Sequence, residues 1–153
     1  MADADHPSPP VGSAAARGRP LPVADETSAG FWSAAARHVL TLARCSNCGK
    51  MTLPPDLTCP NCLCTDPRFT FEPVDGRGRV RTWTIIRRSF LQGFELPFVL
   101  VDVELNEHPQ VRIVGRLLDG ADAPLKLGAP VKVVFENIAP DIAVPAFQLE
   151  QAS

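Results

Sequence analysis

The sequence predicts a mainly β protein in which a short helix leads into a metal-stapled cysteine segment and then into a small antiparallel β-barrel such as an OB-fold. Two Cys-x-x-Cys pairs separated by ten residues mark the metal segment. From residue 80 onward there are short segments in which buried-type apolar residues alternate with more solvent-exposed positions. This two-residue period is typical of a strand. No long helical pattern separates these runs, so a closed or nearly closed barrel is favoured, with a small sandwich as the alternative.

Length and composition limit the chain to one ordinary domain, or to a small metal-stapled module plus one compact domain. Of its 153 residues, 45% are hydrophobic and 21% are charged, so most of the chain should bury a core. A formal net charge of −2 lacks the basic excess expected of a dedicated nucleic-acid binder. No apolar run approaches the roughly 18 residues of a membrane span, and residues 1–6 lack a secretory signal, so we expect a cytoplasmic protein.

The N-terminal region divides into a tail and a helix. Residues 1–27 place prolines among alanines and small polar residues with no hydrophobic period, and we expect a flexible tail. Residues 28–42 are assigned to an N-terminal helical segment, with Ser28 capping a helix from about 29 to 38. One face of that helix carries three residues at i, i+4 and i+7 spacing: Phe31, Ala35 and His38.

Residues 43–72 are the predicted zinc ribbon. Prolines interrupt this segment, so it should form loops and short strands with little hydrophobic core. It therefore needs a cross-link such as a bound metal to be stable. Because a two-residue spacing lets both thiolates of a tight turn reach one ion, two such turns complete a tetrahedral sulfur shell. The predicted ligands are Cys45, Cys48, Cys59 and Cys62. Such a rubredoxin-like site, one ion per chain, is structural, and its thiolates favour zinc, with iron as the main competitor.

The second cysteine turn departs from the first. Gly49 follows the first pair and can adopt the positive φ that aims backbone amides at the sulfurs, whereas Leu63 stands at the equivalent place. Cys64 offers another possible ligand, although the spacing favours Cys62. His38 is interpreted as a residue on the helix face and not as a ligand.

Residues 73–150 are the predicted OB-fold barrel. Its strand-like runs are Val80 to Ile86, Phe98 to Leu105, Val111 to Leu118 and Val131 to Phe135. Five arginines and a tryptophan crowd the start of this region. They allow several interpretations: solvated arginines on an exposed strand, a site for the phosphates of a ligand such as coenzyme A, or an acidic partner's docking site. A fourth is single-stranded nucleic acid bound by Arg79, Arg81, Trp83, Arg87 and Arg88.

The segment from Ser89 to Pro97 is an apolar loop with a glycine hinge. Large apolar side chains are unusual in such a turn-rich stretch unless they cover something, so they form either a lid over the barrel core or a partner or ligand surface. The three histidines lie in a tail, a helix and a turn without a nucleophile pattern. The residues therefore give no reason to expect intrinsic enzyme activity.

The order of motifs from residue 31 to 147 resembles a known family. Phe31-Trp32, Cys-x-x-Cys-Gly, Pro54-Pro55, Cys-Pro-x-Cys, Gly76-Arg77-Gly78, Trp83-Thr84, Pro97-Phe98-Val99, Gly128, Val131 to Phe135 and Pro145-Ala146-Phe147 follow one another. This looks like the acyl-CoA-associated family, long known only as a domain of unknown function, whose members join a rubredoxin-like zinc ribbon to an OB-fold.

The resemblance implies a non-catalytic subunit in a hetero-oligomer. Family partners are thiolase-fold lyases and thiolases, or hot-dog-fold enoyl-CoA hydratases, and these partners hold the acyl-CoA. Some serve bacterial steroid side-chain breakdown. It further implies that the leading helix and the apolar loop contact the partner or ligand. The residues expected there are Phe31, Trp32, Arg87, Arg88, Phe90 and Phe94.

Overall fold

A computed structural model describes residues 18–150 as one helix and eight strands. The helix α1 spans Ala29–Ala36. The strands are β1 (Thr41–Arg44), β2 (Met51–Thr52), β3 (Thr70–Pro73), β4 (Arg77–Ile86), β5 (Phe98–Leu105), β6 (Arg112–Leu117), β7 (Pro130–Ala139) and β8 (Ile142–Leu149). Strands β1 to β3 form a small sheet in the order β2-β1-β3, and β4 to β8 form a closed barrel in the order β4-β5-β6-β8-β7. The predicted mainly β architecture is confirmed.

The start of α1 is capped differently from the sequence prediction. Ser28 is the N-cap residue, yet its side chain makes no capping hydrogen bond. The Asp25 carboxylate instead accepts hydrogen bonds from the backbone N–H groups of Thr27 (3.0 Å) and Ser28 (2.8 Å) and from the Ser28 hydroxyl (2.7 Å). These bonds, first that from the Ser28 hydroxyl, lower the pKa of Asp25 from 3.8 to about 2.

The end of α1 also differs from the prediction. The helix stops at Ala36, not near residue 38, and His38 has a left-handed backbone with φ of 60°. Beyond the helix, the His38 ring stacks on Phe135 with 5.4 Å between centroids, and its Nε2 lies 2.8 Å from Asn137 Oδ1. The expectation that His38 lies on the helix face with Phe31 is therefore wrong, because the chain has already turned toward β1.

A glycine lets α1 approach the ribbon sheet closely. Gly30 faces Phe71 of β3, and a Cβ atom at Gly30 would lie only 2.2 Å from the nearest ring carbon. Strand β1 pairs with both neighbours, with Ala43 opposite Thr52 of β2 and opposite Phe71 of β3. The ribbon therefore consists of a three-stranded sheet with α1 packed on it through Phe71.

The barrel closes through one parallel pair of strands. Arg116 and Leu117 of β6 pair in parallel with Ala146 and Phe147 of β8, whereas the other pairs in the barrel are antiparallel. A closed ring with an odd number of strands cannot alternate direction throughout, so one parallel pair is required in the predicted OB-fold barrel, which is confirmed. Strand β8 was not among the four predicted runs, because Pro145 within it resembles a break in a strand.

A single hydrophobic core joins helix, ribbon and barrel. It includes Phe31 from α1 and Leu42 from β1 together with Val80, Val131 and Phe147 from the barrel. The alternation predicted for the second run is confirmed, since the residues on one face of β5 are at most 2% exposed: Val99, Val101, Val103 and Leu105. The predicted segments 28–42, 43–72 and 73–150 thus share their interior, and their boundaries stay predictions.

The predicted tail lies mostly outside the described residues, which begin at residue 18. The described part, residues 18–27, contacts the barrel. Arg19 donates hydrogen bonds from Nε to the backbone carbonyl of Gly93 (3.1 Å) and from its terminal nitrogen to Glu136 (3.4 Å). Within residues 18–150, no helix has the length and apolar character needed to cross a membrane.

Candidate metal centre and partner surface

The four predicted ligands converge in space. The sulfur atoms of Cys45, Cys48, Cys59 and Cys62 all lie within 4.8 Å of one another. Cys45 Sγ is 3.9 Å from Cys62 Sγ, and Cys48 Sγ is 3.8 Å from Cys59 Sγ. Four sulfurs bound at about 2.3 Å to one tetrahedral ion stand about 3.8 Å apart, so the cluster has the dimensions of a four-thiolate metal site.

The two cysteine turns have the same backbone construction. In the first, Gly49 N–H donates to Cys45 C=O and Cys45 N–H donates to Lys50 C=O; in the second, Leu63 N–H donates to Cys59 C=O and Cys59 N–H to Cys64 C=O. Gly49 has φ of 72° and Leu63 has φ of 60°. Leu63 therefore adopts the left-handed conformation that glycine adopts in the first turn, with its side chain 73% exposed.

A neighbouring amide supports the second turn's last ligand. Asn47 lies between the cysteines of the first pair and donates a hydrogen bond from Nδ2 to Cys62 Sγ (3.4 Å). This hydrogen bond, followed by one from the backbone of Cys64, lowers the pKa of Cys62 to about 6, which favours the thiolate that a metal requires. The sequence analysis assigned no role to Asn47, because nothing in a Cys-x-x-Cys pair shows where its middle residues point.

Cys64 lies beside the cluster without belonging to it. Its sulfur is 3.7 Å from Cys45 Sγ, but it does not share the mutual closeness of the other four thiols. Burial raises the pKa of the Cys64 thiol to about 12. Cys64 is thus placed as a neighbour of two ligands, and it occupies the position in the second turn that Lys50 occupies in the first.

An ion pair ties the first turn to the ribbon sheet. Arg44 donates to both carboxylate oxygens of Glu72, at 2.5 and 2.8 Å, and its third nitrogen donates to the backbone carbonyl of Gly49 (2.6 Å). Arg44 lowers the pKa of Glu72 through these hydrogen bonds. The two-pronged contact of the guanidinium with the carboxylate holds the first cysteine turn against β3.

Two of the five arginines in this arginine-rich region pair with carboxylates of the same chain. Arg77 pairs with Asp75 (2.8 Å) and Glu150 (2.9 Å), and Arg81 pairs with Glu104 (2.7 Å). Trp83 packs against the core and is only partly exposed. Of the residues predicted to bind nucleic acid, Arg81 is thus engaged by a carboxylate, and the pairing of Arg77 and Arg81 interrupts a continuous phosphate track.

The loop between β4 and β5, residues 87–97, has two different halves. Phe90 is 107% exposed and Leu91 is 56% exposed. Phe94, in contrast, stacks on Phe98 of β5 with 5.1 Å between ring centroids, and the Arg19 guanidinium lies 4.6 Å from the Phe94 centroid. Each of the two interpretations of the loop thus fits one half of it. Phe94 folds back on the barrel, as a lid would, whereas Phe90 stays exposed, as a partner or ligand surface would.

A charged cluster that sequence reasoning missed supports this loop. Glu136 accepts hydrogen bonds from Arg19 (3.4 Å) and from Arg116 (2.5 Å), and all three side chains are at least four-fifths buried. The Arg116 guanidinium also lies 5.4 Å from the Phe98 ring. No local signal could reveal this cluster, because it joins residues as far apart in sequence as 19 and 136.

The two adjacent aromatic residues of α1, Phe31 and Trp32, also differ in exposure. Phe31 is 8% exposed and lies in the core, whereas Trp32 is partly exposed and meets the Phe31 ring edge-on at 4.9 Å between centroids. Phe31 therefore packs inside the chain, and only Trp32 of the two retains an accessible surface for a partner. Their contact with a partner stays a prediction.

Known proteins share this architecture and its order. The chain is 29% identical over 132 residues to the probable enoyl-CoA hydratase alpha subunit of Thermomonospora curvata, covering 85% of this chain and only 40% of that protein. It is 25% identical over 103 residues to a DUF35 domain-containing scaffold protein of Methanothermobacter thermautotrophicus, covering 67% of this chain and 75% of the relative. Of these relatives, the hydratase subunit is thus more than twice as long as the part that this chain matches.

A solved structure matches at the level of the fold and the sequence. A chain of the Ltp2-ChsH2(DUF35) aldolase superposes with a TM-score of 0.73 at 27% identity, covering 84% of this chain and 98% of that one. Family models match in chain order: the rubredoxin-like zinc ribbon domain of ChsH2 over residues 32–67 and its C-terminal OB-fold domain over residues 71–136. Because both domains are present in that order, the chain belongs to the ChsH2 (DUF35) family of zinc-ribbon and OB-fold proteins.

Proposed function

We propose that this chain is a non-catalytic accessory subunit that docks onto a thiolase-fold lyase or thiolase acting on acyl-CoA thioesters. The observation that carries this proposal is the likeness to a chain of the Ltp2-ChsH2(DUF35) aldolase, which spans nearly all of that chain. A relative named as a scaffold protein supports the same role. In such a complex the partner holds the acyl-CoA, and this chain orders the partner.

The metal centre suits a scaffold. Cys45, Cys48, Cys59 and Cys62 would hold one zinc ion as a structural staple, and four protein sulfurs leave no coordination position for substrate. The ion, when bound, fixes two loops that have little core of their own. Iron could bind the same four sulfurs, so metal analysis is needed to distinguish the two ions. We expect a colourless preparation with one zinc per chain.

Two finer statements belong to the proposal. Steroid side-chain degradation is the pathway we favour for the complex, on the resemblance described above. A cytoplasmic location is favoured by the five cysteines, none of which is in a disulfide, because a reducing compartment keeps such thiols available for metal.

An enoyl-CoA hydratase is the second candidate partner. The specific observation is the Thermomonospora curvata relative named as a hydratase alpha subunit, of which this chain spans 40%. In that case the rest of such a subunit, or a separate chain, would supply the hydratase activity. The acyl-CoA substrate class is the same for both candidates.

Affinity purification of the tagged chain from its host, followed by mass spectrometry, tests the proposal. We expect a thiolase-fold subunit in stoichiometric amount, while a hydratase-fold subunit would select the second candidate. The purified chain alone should not turn over acyl-CoA substrates. Recovery of the chain without either partner, or turnover by the chain alone, would contradict the accessory role.

A further inference from the structure

We propose that the outer half of the β4–β5 loop is a preformed docking patch that inserts into an acidic-rimmed apolar pocket on the thiolase-fold subunit. The docking patch comprises Arg87, Arg88, Phe90 and Leu91. This inference rests on the proposed function and adds which surface of the chain makes the contact and what chemistry the partner presents to it.

The apolar part of the patch has no partner in the described chain. Phe90 is fully solvent-exposed and Leu91 more than half so, and they are adjacent in sequence. A single exposed apolar residue is ordinary, but an aromatic ring beside a leucine at the tip of a loop offers a compact group that can enter a pocket. Large aromatic anchors that become fully desolvated dominate the affinity of protein interfaces.

The base of the loop is held in place. Phe94 contacts both the Phe98 ring and the Arg19 guanidinium, and Arg19 Nε also donates to Gly93 C=O at 3.1 Å. Arg19 is in turn fixed by Glu136. Holding one half of a loop reduces the conformational entropy lost when the other half binds, so Phe90 is presented on a partly ordered support.

The charges beside Phe90 select an acidic partner. Both Arg87 and Arg88 are exposed, and neither makes a hydrogen bond or ion pair with another described residue, whereas every other described arginine makes at least one. Two positive charges therefore stand unneutralised next to an apolar pair. The complementary surface is an apolar pocket with carboxylates at its rim.

Phosphate ligands fit the patch less well. The phosphates of coenzyme A or a nucleic acid could pair with Arg87 and Arg88, and a base could stack on the Phe90 ring, but such a ligand would leave the aliphatic surface of Leu91 uncovered. The neighbouring Arg77 and Arg81, which a longer polyanion would need, already pair with Asp75, Glu150 and Glu104. A protein surface uses both the charged and the apolar members of the patch.

Binding of full-length variants to the purified thiolase-fold subunit, by biolayer interferometry, tests the patch. Phe90→Ala should weaken the affinity about 30-fold, mainly through faster dissociation. Arg87→Glu combined with Arg88→Glu should slow association about 10-fold at low salt, an effect that added salt reduces. Leu57→Ala and Arg68→Glu, which change an exposed leucine and an exposed arginine on the ribbon, are the matched controls and should stay within about twofold of wild type.

The outcomes separate the patch from the proposed function. If wild type binds the subunit and both patch variants bind it as tightly as wild type does, the docking proposal is wrong and the accessory role stands. If wild type binds no such subunit, both proposals fall. Titration with coenzyme A alone gives a third outcome: loss of its binding in the double arginine variant, with subunit affinity intact, would make the patch a phosphate site and overturn the docking proposal.

Discussion

Gly30→Ala should destabilise this protein, although the same change stabilises most helices. Alanine is favoured over glycine in a helix by up to about 1 kcal/mol, and Gly30 lies in the first turn of α1. The new Cβ would meet three carbons of the Phe71 ring at 2.2, 2.5 and 2.9 Å. Because carbon atoms rest at about 3.5 to 4.0 Å, the ring or the helix must move by more than about 1 Å.

The size of the effect follows from this conflict. Forcing extra atoms into a packed contact costs about 1 to 3 kcal/mol, and Phe71 cannot move freely because its strand pairs with β1. After the helix gain is subtracted, Gly30→Ala should lower the free energy of unfolding by about 1 kcal/mol. In a Phe71→Ala background the ring that blocks the new Cβ is absent. Gly30→Ala should then raise the free energy of unfolding by up to about 1 kcal/mol.

Urea unfolding of the four proteins of this double-mutant cycle, at fixed excess zinc, measures both numbers. The expected coupling energy between the two sites is about 2 kcal/mol. Equal stabilisation by Gly30→Ala in both backgrounds would refute the close approach of α1 to the ribbon sheet. Unchanged zinc content in all four variants is the required control, because metal loss would mask the packing term.

Three further predictions concern the metal site, the helix cap and the loop. Cys62→Ser should retain zinc against a competing chelator because Cys64 can replace it, whereas the Cys62→Ser, Cys64→Ser double variant should lose zinc; equal loss in both would exclude the replacement. The Asp25 carboxyl should titrate near pH 2 by NMR, so its capping contribution is fully present above pH 3.8 and is lost as the pH falls toward 2; a midpoint near 3.8 would contradict the cap. Arg19→Ala should speed amide hydrogen exchange in residues 89–97, whereas Arg37→Ala, which changes a helix-end arginine, should not; unaltered exchange in both would show that Arg19 does not hold the loop.

The convergence of the four cysteines and the buried face of β5 were predictable because both are local patterns. Two Cys-x-x-Cys pairs bring their thiols together through turns of four or five residues, and no distant contact is needed for each pair to form. The alternation of Val99 and Val101 with wetter residues likewise follows from the pleat of one strand. The departure at Leu63 proved compatible with the same turn, since its backbone takes the left-handed conformation with its side chain in solvent.

The cap and the last strand were not predictable for opposite reasons. Ser28 and Asp25 are both good capping residues, and only the path of the chain before α1 shows that the Asp25 carboxylate receives the bonds. Strand β8 was missed because it contains Pro145. A proline is tolerated in a strand only at a position where no neighbouring strand needs a hydrogen bond from its N–H. The sequence cannot show which strand edge meets that condition.

The sequence by itself determined the fold class, the four cysteines that come together as a candidate metal site, and the membership of a family that builds zinc ribbons onto OB-folds. The tertiary structure alone decided which aromatic residues face solvent. Phe31 and Phe90 look alike in sequence, yet α1 packs Phe31 into the common core and leaves Phe90 outside. The Arg19 contact with Glu136 was equally hidden, because residues 117 positions apart meet only after the barrel has closed, and that closure depends on packing across the whole chain.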